Sequence, residues 1–171
     1  DGMRIKDLPR IDDFKPRWYQ VPVIDALLTG KKRAILLWSR RTGKDLLAWH
    51  IAIWQCLMEP SIVFYIFPTQ IQARSCIWSS MTIDGKSFLS FIPEHLIYKK
   101  NEARMEVHFH NGSILALKGS NNYDSMRGVN CKMAIFSEYA DHDPAVWNLV
   151  IQPVLRGNNG IAIFCSTPKG F

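Results

Sequence analysis

Leu37-Trp38-Ser39-Arg40-Arg41-Thr42-Gly43-Lys44-Asp45 lies between a short apolar run, Arg33 to Trp38, and a stretch from Lys44 to Met58 that reads as an apolar helix. Strand, loop, Gly-Lys, helix is the setting a phosphate-binding loop requires. In such a loop the backbone N–H groups and the N-terminus of the helix face the phosphates. The lysine supplies a point charge to the β and γ oxygens. Two positions depart from the usual pattern: Trp38 stands at the first glycine, and Asp45 stands where a serine or threonine normally follows the lysine.

A second stretch strengthens this reading. Met133-Ala134-Ile135-Phe136-Ser137-Glu138 is an apolar strand that delivers a polar pair at its C-terminal end. In P-loop ATPases that place holds a magnesium-binding carboxylate, followed by the glutamate that polarises the attacking water. Glu138 suits the second role, and Ser137 stands where the aspartate is expected. Magnesium in these sites sits between the hydroxyl of the loop and the carboxylate of the strand. Here the carboxylate is Asp45 and the hydroxyl Ser137, so one of each is kept, exchanged across the metal. A hard cation that accepts one or two carboxylates and retains several waters tolerates that exchange.

Outward from these two motifs the chain alternates strand and helix. Ser61 to Phe67 is a β-rich run ending at Pro68, and Thr69 to Met81 follows as a helix. Met105 to His110 and Ser113 to Lys118 flank Asn111-Gly112, whose residues tolerate positive φ and mark a hairpin. Lys132 to Ser137 is a buried-type strand, Pro144 to Leu155 a helix, and Ile161 to Cys165 a last strand. The expected fold is α/β: a P-loop, RecA-like NTPase of the additional-strand, conserved-glutamate type. Its mainly parallel sheet carries helices on both faces and an inserted β-hairpin. Residues 1–171 read as one domain, with no repeat, linker or low-complexity tract.

Composition agrees. The chain is 47% hydrophobic and 21% charged, ordinary for a globular fold, and its net charge of +6 with pI near 9.3 favours polyanionic partners, nucleic acid first. No apolar run approaches the roughly 18 residues of a membrane span. Cys56, Cys76, Cys131 and Cys165 are scattered without a Cys-x-x-Cys pair and read as buried, reduced thiols. His108 and His110 share a strand face but lack a third ligand in register. Asp141, His142 and Asp143 read as the polar start of the next helix, with Asp141 or Asp143 as its cap.

The ordered motifs resemble the N-terminal ATPase domain of the large terminase subunit of tailed bacteriophages. Arg17-Trp18-Tyr19-Gln20 resembles the segment that contacts adenine. Ser39 to Lys44 resembles the family's unorthodox Walker A loop, with Arg40 four residues before the lysine. Phe67-Pro68-Thr69 with Gln72-Ala73 resembles a helicase-like motif, and Ser125-Met126-Arg127-Gly128 resembles the Leu-Arg-Gly segment before the Walker B strand. Phe136-Ser137-Glu138 is the Walker B end, and Ser166-Thr167-Pro168-Lys169-Gly170 resembles the coupling motif.

The resemblance implies hydrolysis of ATP with Mg2+, coupled to packaging of double-stranded DNA into a procapsid. Trp18, Tyr19 and Gln20 would serve the adenine. Ser39, Arg41, Thr42, Gly43, Lys44 and Asp45 would surround the phosphates, with Asp45 and Ser137 at the metal. Thr167 would sense the γ-phosphate and Glu138 would orient water, while Arg40 in cis or Arg127 in trans would be the arginine finger. Implied partners are other copies in a homo-oligomeric ring, the portal protein and the small terminase subunit, in the host cytoplasm and transiently on the procapsid, with no membrane. The family's nuclease domain is not expected within residues 1–171. Two other readings share the nucleotide core: a helicase- or repair-type DNA translocase, and a nucleotide-binding module with little turnover. If Asp45 and Ser137 are a compensating exchange, the double variant Asp45→Ser/Ser137→Asp is expected to exceed either single variant in Mg2+-dependent ATP turnover; parity among the three would refute the exchange.

Overall fold

The central strands are apolar on both sides, and a strand of that kind forms only where both faces of its sheet are covered. The computed structural model describes residues 3–11, 14–39 and 42–168. Seven strands form a single sheet: β1 (Arg33–Leu37), β2 (Ile62–Phe67), β3 (Ile97–Asn101), β4 (Glu106–Phe109), β5 (Ile114–Gly119), β6 (Met133–Phe136) and β7 (Ile161–Ser166). Their order is β1-β7-β6-β2-β5-β4-β3, parallel from β1 to β5 and antiparallel through β4 and β3.

Alternation along β2 divides the core in two. Val63, Tyr65 and Phe67 join the layer built on helix α2 (Lys44–Met58), with Leu47, Trp49 and Ile53. Phe64 and Ile66 face the other way, against Val146, Val150, Ile151 and Leu155. Val146, Val150 and Ile151 belong to a π-type turn, Val146–Ile151, that runs into helix α4 (Gln152–Asn158), which carries Leu155. α1 (Val21–Leu28) precedes β1, and a short helix, α3 (Gln70–Ala73), follows β2. Thr69 caps α3 by accepting from the N–H of Gln72, and the helix continues as a π-type turn to Trp78.

The expected helix from Lys44 to Met58 coincides with α2, and the expected strands match β1, β2, β4, β5, β6 and β7 to within a few residues. The hairpin of β4 and β5 is continuous with the main sheet, because β5 itself pairs in parallel with β2. At its turn Gly112 takes positive φ, whereas Asn111 acts through its side chain, donating to the carbonyl of Cys56 at 2.7 Å. β3 has no counterpart among the expected strands. Ile-Tyr-Lys-Lys-Asn is an edge strand exposed at its three central positions, so no apolar alternation betrays it, and its lysines guard the free edge. Cys76 is exposed, not buried like the other three cysteines, because it lies on the outer side of the π-type turn.

Three strand ends meet at one edge of the sheet. β7 lies between β1 and β6, in register with both: Leu37 pairs with Ser166, and Phe136 with Phe164. The residues after β1, β7 and β6 therefore emerge side by side, at the carboxyl edge where open α/β sheets bind ligands. On the helix that leaves this edge, His50 stacks on Phe14 with ring centroids 3.8 Å apart and places Nδ1 2.6 Å from the carbonyl of Leu46. Burial lowers its pKa from 6.5 to about 4, aided by the charge of Lys86 and opposed by the Leu46 carbonyl. The unfolded chain therefore binds a proton that the folded chain refuses, so stability falls as pH drops from 6.5 towards 4. Urea titrations across that window are expected to show a loss approaching about 3 kcal/mol from this group, which His50→Phe removes; equal pH slopes in the two proteins would contradict the assignment.

Candidate active site

Gly43 is the N-cap of α2 and takes φ of 78°, a left-handed conformation that favours glycine. A Cβ there would also meet Nε2 of Gln20 at 3.0 Å. Gln20 donates to the carbonyls of Gly43 and Thr42 at 3.3 and 3.5 Å, and Tyr19 donates to that of Thr42 at 2.7 Å. The segment before α1 thus fastens the back of the loop that leads into α2. Gln20 is buried, and Trp18 is 85% exposed, edge-on to Tyr19. Neither of these two, nor Tyr19, lines the cleft over the loop; from that segment it is Arg17 that does.

Lys44 is 9% exposed, and its ammonium donates in three directions: to the carbonyl of Trp38 at 2.6 Å, the carbonyl of Ser166 at 3.0 Å and Oγ1 of Thr167 at 2.7 Å. Three acceptors match the three N–H bonds of an ammonium. The Thr167 hydroxyl in turn donates to Oε1 of Glu138 at 3.0 Å. A hydrogen-bonded chain, Lys44–Thr167–Glu138, therefore joins the loop after β1, the end of β7 and the end of β6. The sheet order makes this possible by placing β7 between the other two.

Asp45 lines the same cleft and accepts from the Tyr65 hydroxyl at 2.7 Å. Burial raises its pKa, and the negative charge of Glu138 adds to this; the Tyr65 hydrogen bond and Lys44 pull it down. Ser137 is 6% exposed and is not among the lining residues. Among the described residues no group of three or more His, Cys, Asp or Glu gathers to hold a metal. Magnesium does not require one, since it is held by one or two carboxylates together with substrate phosphates. A cleft carboxylate whose ionisation is disfavoured by burial and by a second carboxylate is the donor chemistry a divalent cation relieves, and Asp45 beside Glu138 fits it.

The cleft encloses about 1300 Å³. Its walls include Ser39, Gly43, Lys44, Asp45, Glu138 and Thr167, all expected from sequence, and also Arg17, Cys76 and Asp141. Tyr65 is a further residue that sequence reading missed. Its place in an apolar strand run hid a hydroxyl aimed at Asp45, and Asp141 was legible only as a helix-start residue. Thr42 carries the carbonyl that Tyr19 and Gln20 grip. Arg40 and Arg41 lie outside the described residues. Arg127 is exposed, pairs with Asp124 at 2.7 Å and does not line the cleft.

No protein-family model matches the chain. It is 25% identical over 164 residues to the large terminase subunit of Escherichia phage T5, and 27% identical over 172 residues to that of Thermus phage G20c. These alignments cover 93% and 92% of this chain but 36% and 34% of the relatives, so the chain spans about a third of their length. Among solved structures, the large terminase ATPase domain of Thermus phage P74-26 superposes with a TM-score of 0.71 at 25% identity, covering 95% of this chain and 72% of that one. An arginine-to-alanine variant of that domain gives 0.73 at 23% identity with the same coverages. The chain has the large-terminase ATPase-domain fold. The large terminase of a thermophilic bacteriophage gives 0.64 at 14% identity, over 91% of this chain and 40% of that one, and extends the likeness in fold.

In this terminase-type domain the hydroxyl of Tyr65 is the direct hydrogen-bond donor to Asp45. Tyr65→Phe removes that donor and nothing else. It is expected to lower stability at pH 7 by about 1–2 kcal/mol in urea unfolding; an unchanged midpoint would show that water replaces the hydroxyl without cost.

Proposed function

We propose that this chain hydrolyses ATP and that its whole protein uses the energy to move double-stranded DNA into a procapsid. The single observation that carries the catalytic half is the chain Lys44–Thr167–Glu138. Phosphoryl transfer is catalysed mainly by positioning and by neutralising charge, and this chain links a charge-neutralising lysine to a water-orienting carboxylate. Lys44 meets the β and γ oxygens, and the backbone N–H groups at the start of α2 complete the cradle. Glu138 aligns a water and takes its proton, which needs a carboxylate in its ionised form. Thr167 connects the two and would register what Lys44 binds. Asp45 would be the carboxylate that holds magnesium, which would supply charge neutralisation to the phosphates; Ser137, the hydroxyl expected to share the metal, is buried and would have to reach it from outside the cleft wall.

The remaining assignments rest on the terminase relatives and on charge. A net charge of +6 suits a polyanionic substrate. Trp18, Tyr19 and Gln20, although none of them lines the cleft, form the segment that would meet the base, with Ser39, Arg41 and Thr42 around the phosphates. A ring of copies would let Arg127, exposed on its own subunit, reach a neighbour's nucleotide. The whole protein would meet the portal protein and the small terminase subunit in the host cytoplasm, and the 1–171 unit would be its ATPase domain, with a nuclease domain elsewhere. Among the described residues no helix is long and apolar enough to cross a membrane.

Magnesium-dependent ATP turnover, measured against protein concentration, tests this reading. Glu138→Gln is expected to lower it by roughly a hundred-fold or more. Turnover that rises more steeply than linearly and disappears in Arg127→Ala means a site completed by a neighbour. Linear turnover untouched by Arg127→Ala assigns the finger to Arg40. Nucleotide binding with no turnover at any concentration would overturn hydrolysis and leave a binding module.

A further inference from the structure

The turn after β6 carries a histidine that does not line the cleft. His142 is 8% exposed, and both ring nitrogens are engaged: Nε2 lies 2.7 Å from the carbonyl oxygen of Ser137, and Nδ1 lies 2.6 Å from Oγ of Ser120. A carbonyl only accepts, so Nε2 carries the proton, and Nδ1 of the neutral ring accepts from the Ser120 hydroxyl. Burial lowers the pKa of the ring, in keeping with that neutral form. Phe136 meets its ring edge-on at 5.4 Å and fixes its plane.

Two features of this bridge matter. First, the Ser137 carbonyl belongs to the peptide unit that leads into Glu138, and Glu138 has φ of 49° and ψ of 59°. A left-handed backbone at a non-glycine residue is strained and persists only where its surroundings hold it. The His142 N–H grips the peptide plane on one side of that strained residue. On the other side the Glu138 carbonyl accepts from the N–H of Asp141 at 2.9 Å. Second, Ser120 follows β5, and β5 is separated from β6 by β2. The ring therefore spans a strand and ties the Glu138 turn to the segment Ser120–Met126, which leads directly to Arg127.

We propose that His142 is a positioning residue for hydrolysis: it holds the Ser137–Glu138 peptide so that the Glu138 carboxylate faces the cleft, and it links that turn to the segment bearing Arg127. The catalytic part rests on Glu138 acting as the water-orienting group; the link between the two segments does not.

The test compares His142→Leu, which removes both hydrogen bonds at similar volume, with His142→Gln, which retains a donor for the carbonyl and an acceptor for the hydroxyl. In the full chain, His142→Leu is expected to lower kcat for ATP by roughly 10- to 100-fold, while affinity for a fluorescent ADP analogue stays within roughly three-fold. His142→Gln is expected to restore much of kcat. Unchanged kcat in His142→Leu, or affinity falling in step with kcat, would overturn the positioning role. Amide hydrogen exchange reads the link without turnover: His142→Leu and Ser120→Ala should each accelerate exchange in residues 120–127 as well as 138–142, with β2 unaffected. Acceleration confined to 138–142 in both variants would refute the link. Absence of turnover in the unaltered chain would instead remove the catalytic premise, with exchange still deciding whether the two segments are tied. Should His142→Leu fail to fold, Ser120→Ala carries both readouts: lowered kcat with 120–127 loosened supports the proposal, and unchanged kcat and exchange refute it.

Discussion

An ammonium group withdrawn from water must find an oxygen for each of its protons, and at Lys44 the site depends on that requirement. Leaving one proton unpaired in a nearly buried cation is costly, so the lysine fixes whatever lies around it. It holds the carbonyl of Trp38, the carbonyl of Ser166 and the hydroxyl of Thr167 about one point. These atoms belong to loops leaving two different strands, and the third, β6, enters through the Thr167–Glu138 hydrogen bond. The insertion of β7 between β1 and β6 is what brings them within reach. Phosphate oxygens are stronger acceptors for the same cation than backbone carbonyls are. A ligand that claims Lys44 therefore necessarily disturbs Thr167, and through it Glu138.

Much of this arrangement was legible in the sequence, for a physical reason. Strands covered on both faces must be apolar throughout, so β2, β6 and β7 announce themselves as short apolar runs, and the run from Lys44 to Met58 announces α2. What stayed hidden obeys different rules. β3 is an edge strand with Tyr98, Lys99 and Lys100 in solvent, so no periodic signal distinguishes it from a loop. The helix after β2 passes into a π-type turn at Arg74, a change of hydrogen-bond pattern that apolar spacing does not encode.

The site divides along the same line. Glu138 and Thr167 were readable because strand ends deliver them, and Lys44 because it opens the helix as the second residue of a Gly-Lys pair; these are positions that sequence locates. Tyr65 and His142 were not, since each acts across the fold on a residue whose nearness is created only by packing. The aromatic and glutamine of the segment before α1 illustrate a third case. Their residue types point towards a base, whereas the hydrogen bonds of Tyr19 and Gln20 run to the backbone of the loop that leads into α2. Residue type suggested a contact with adenine, and tertiary structure gives Tyr19 and Gln20 backbone carbonyls as partners.

The left-handed backbone of Glu138 carries an implication for anyone redesigning this domain. Glycine relieves that conformation at once, and asparagine tolerates it better than glutamate does. A procedure that scores backbone strain alone would therefore mark position 138 as a local fault. The same substitution removes the acceptor of the Thr167 hydroxyl, so a melting curve reports relieved strain set against a lost hydrogen bond. Ranking variants of this domain by thermal tolerance thus reads only that balance, and nothing of what a carboxylate at position 138 does in the cleft.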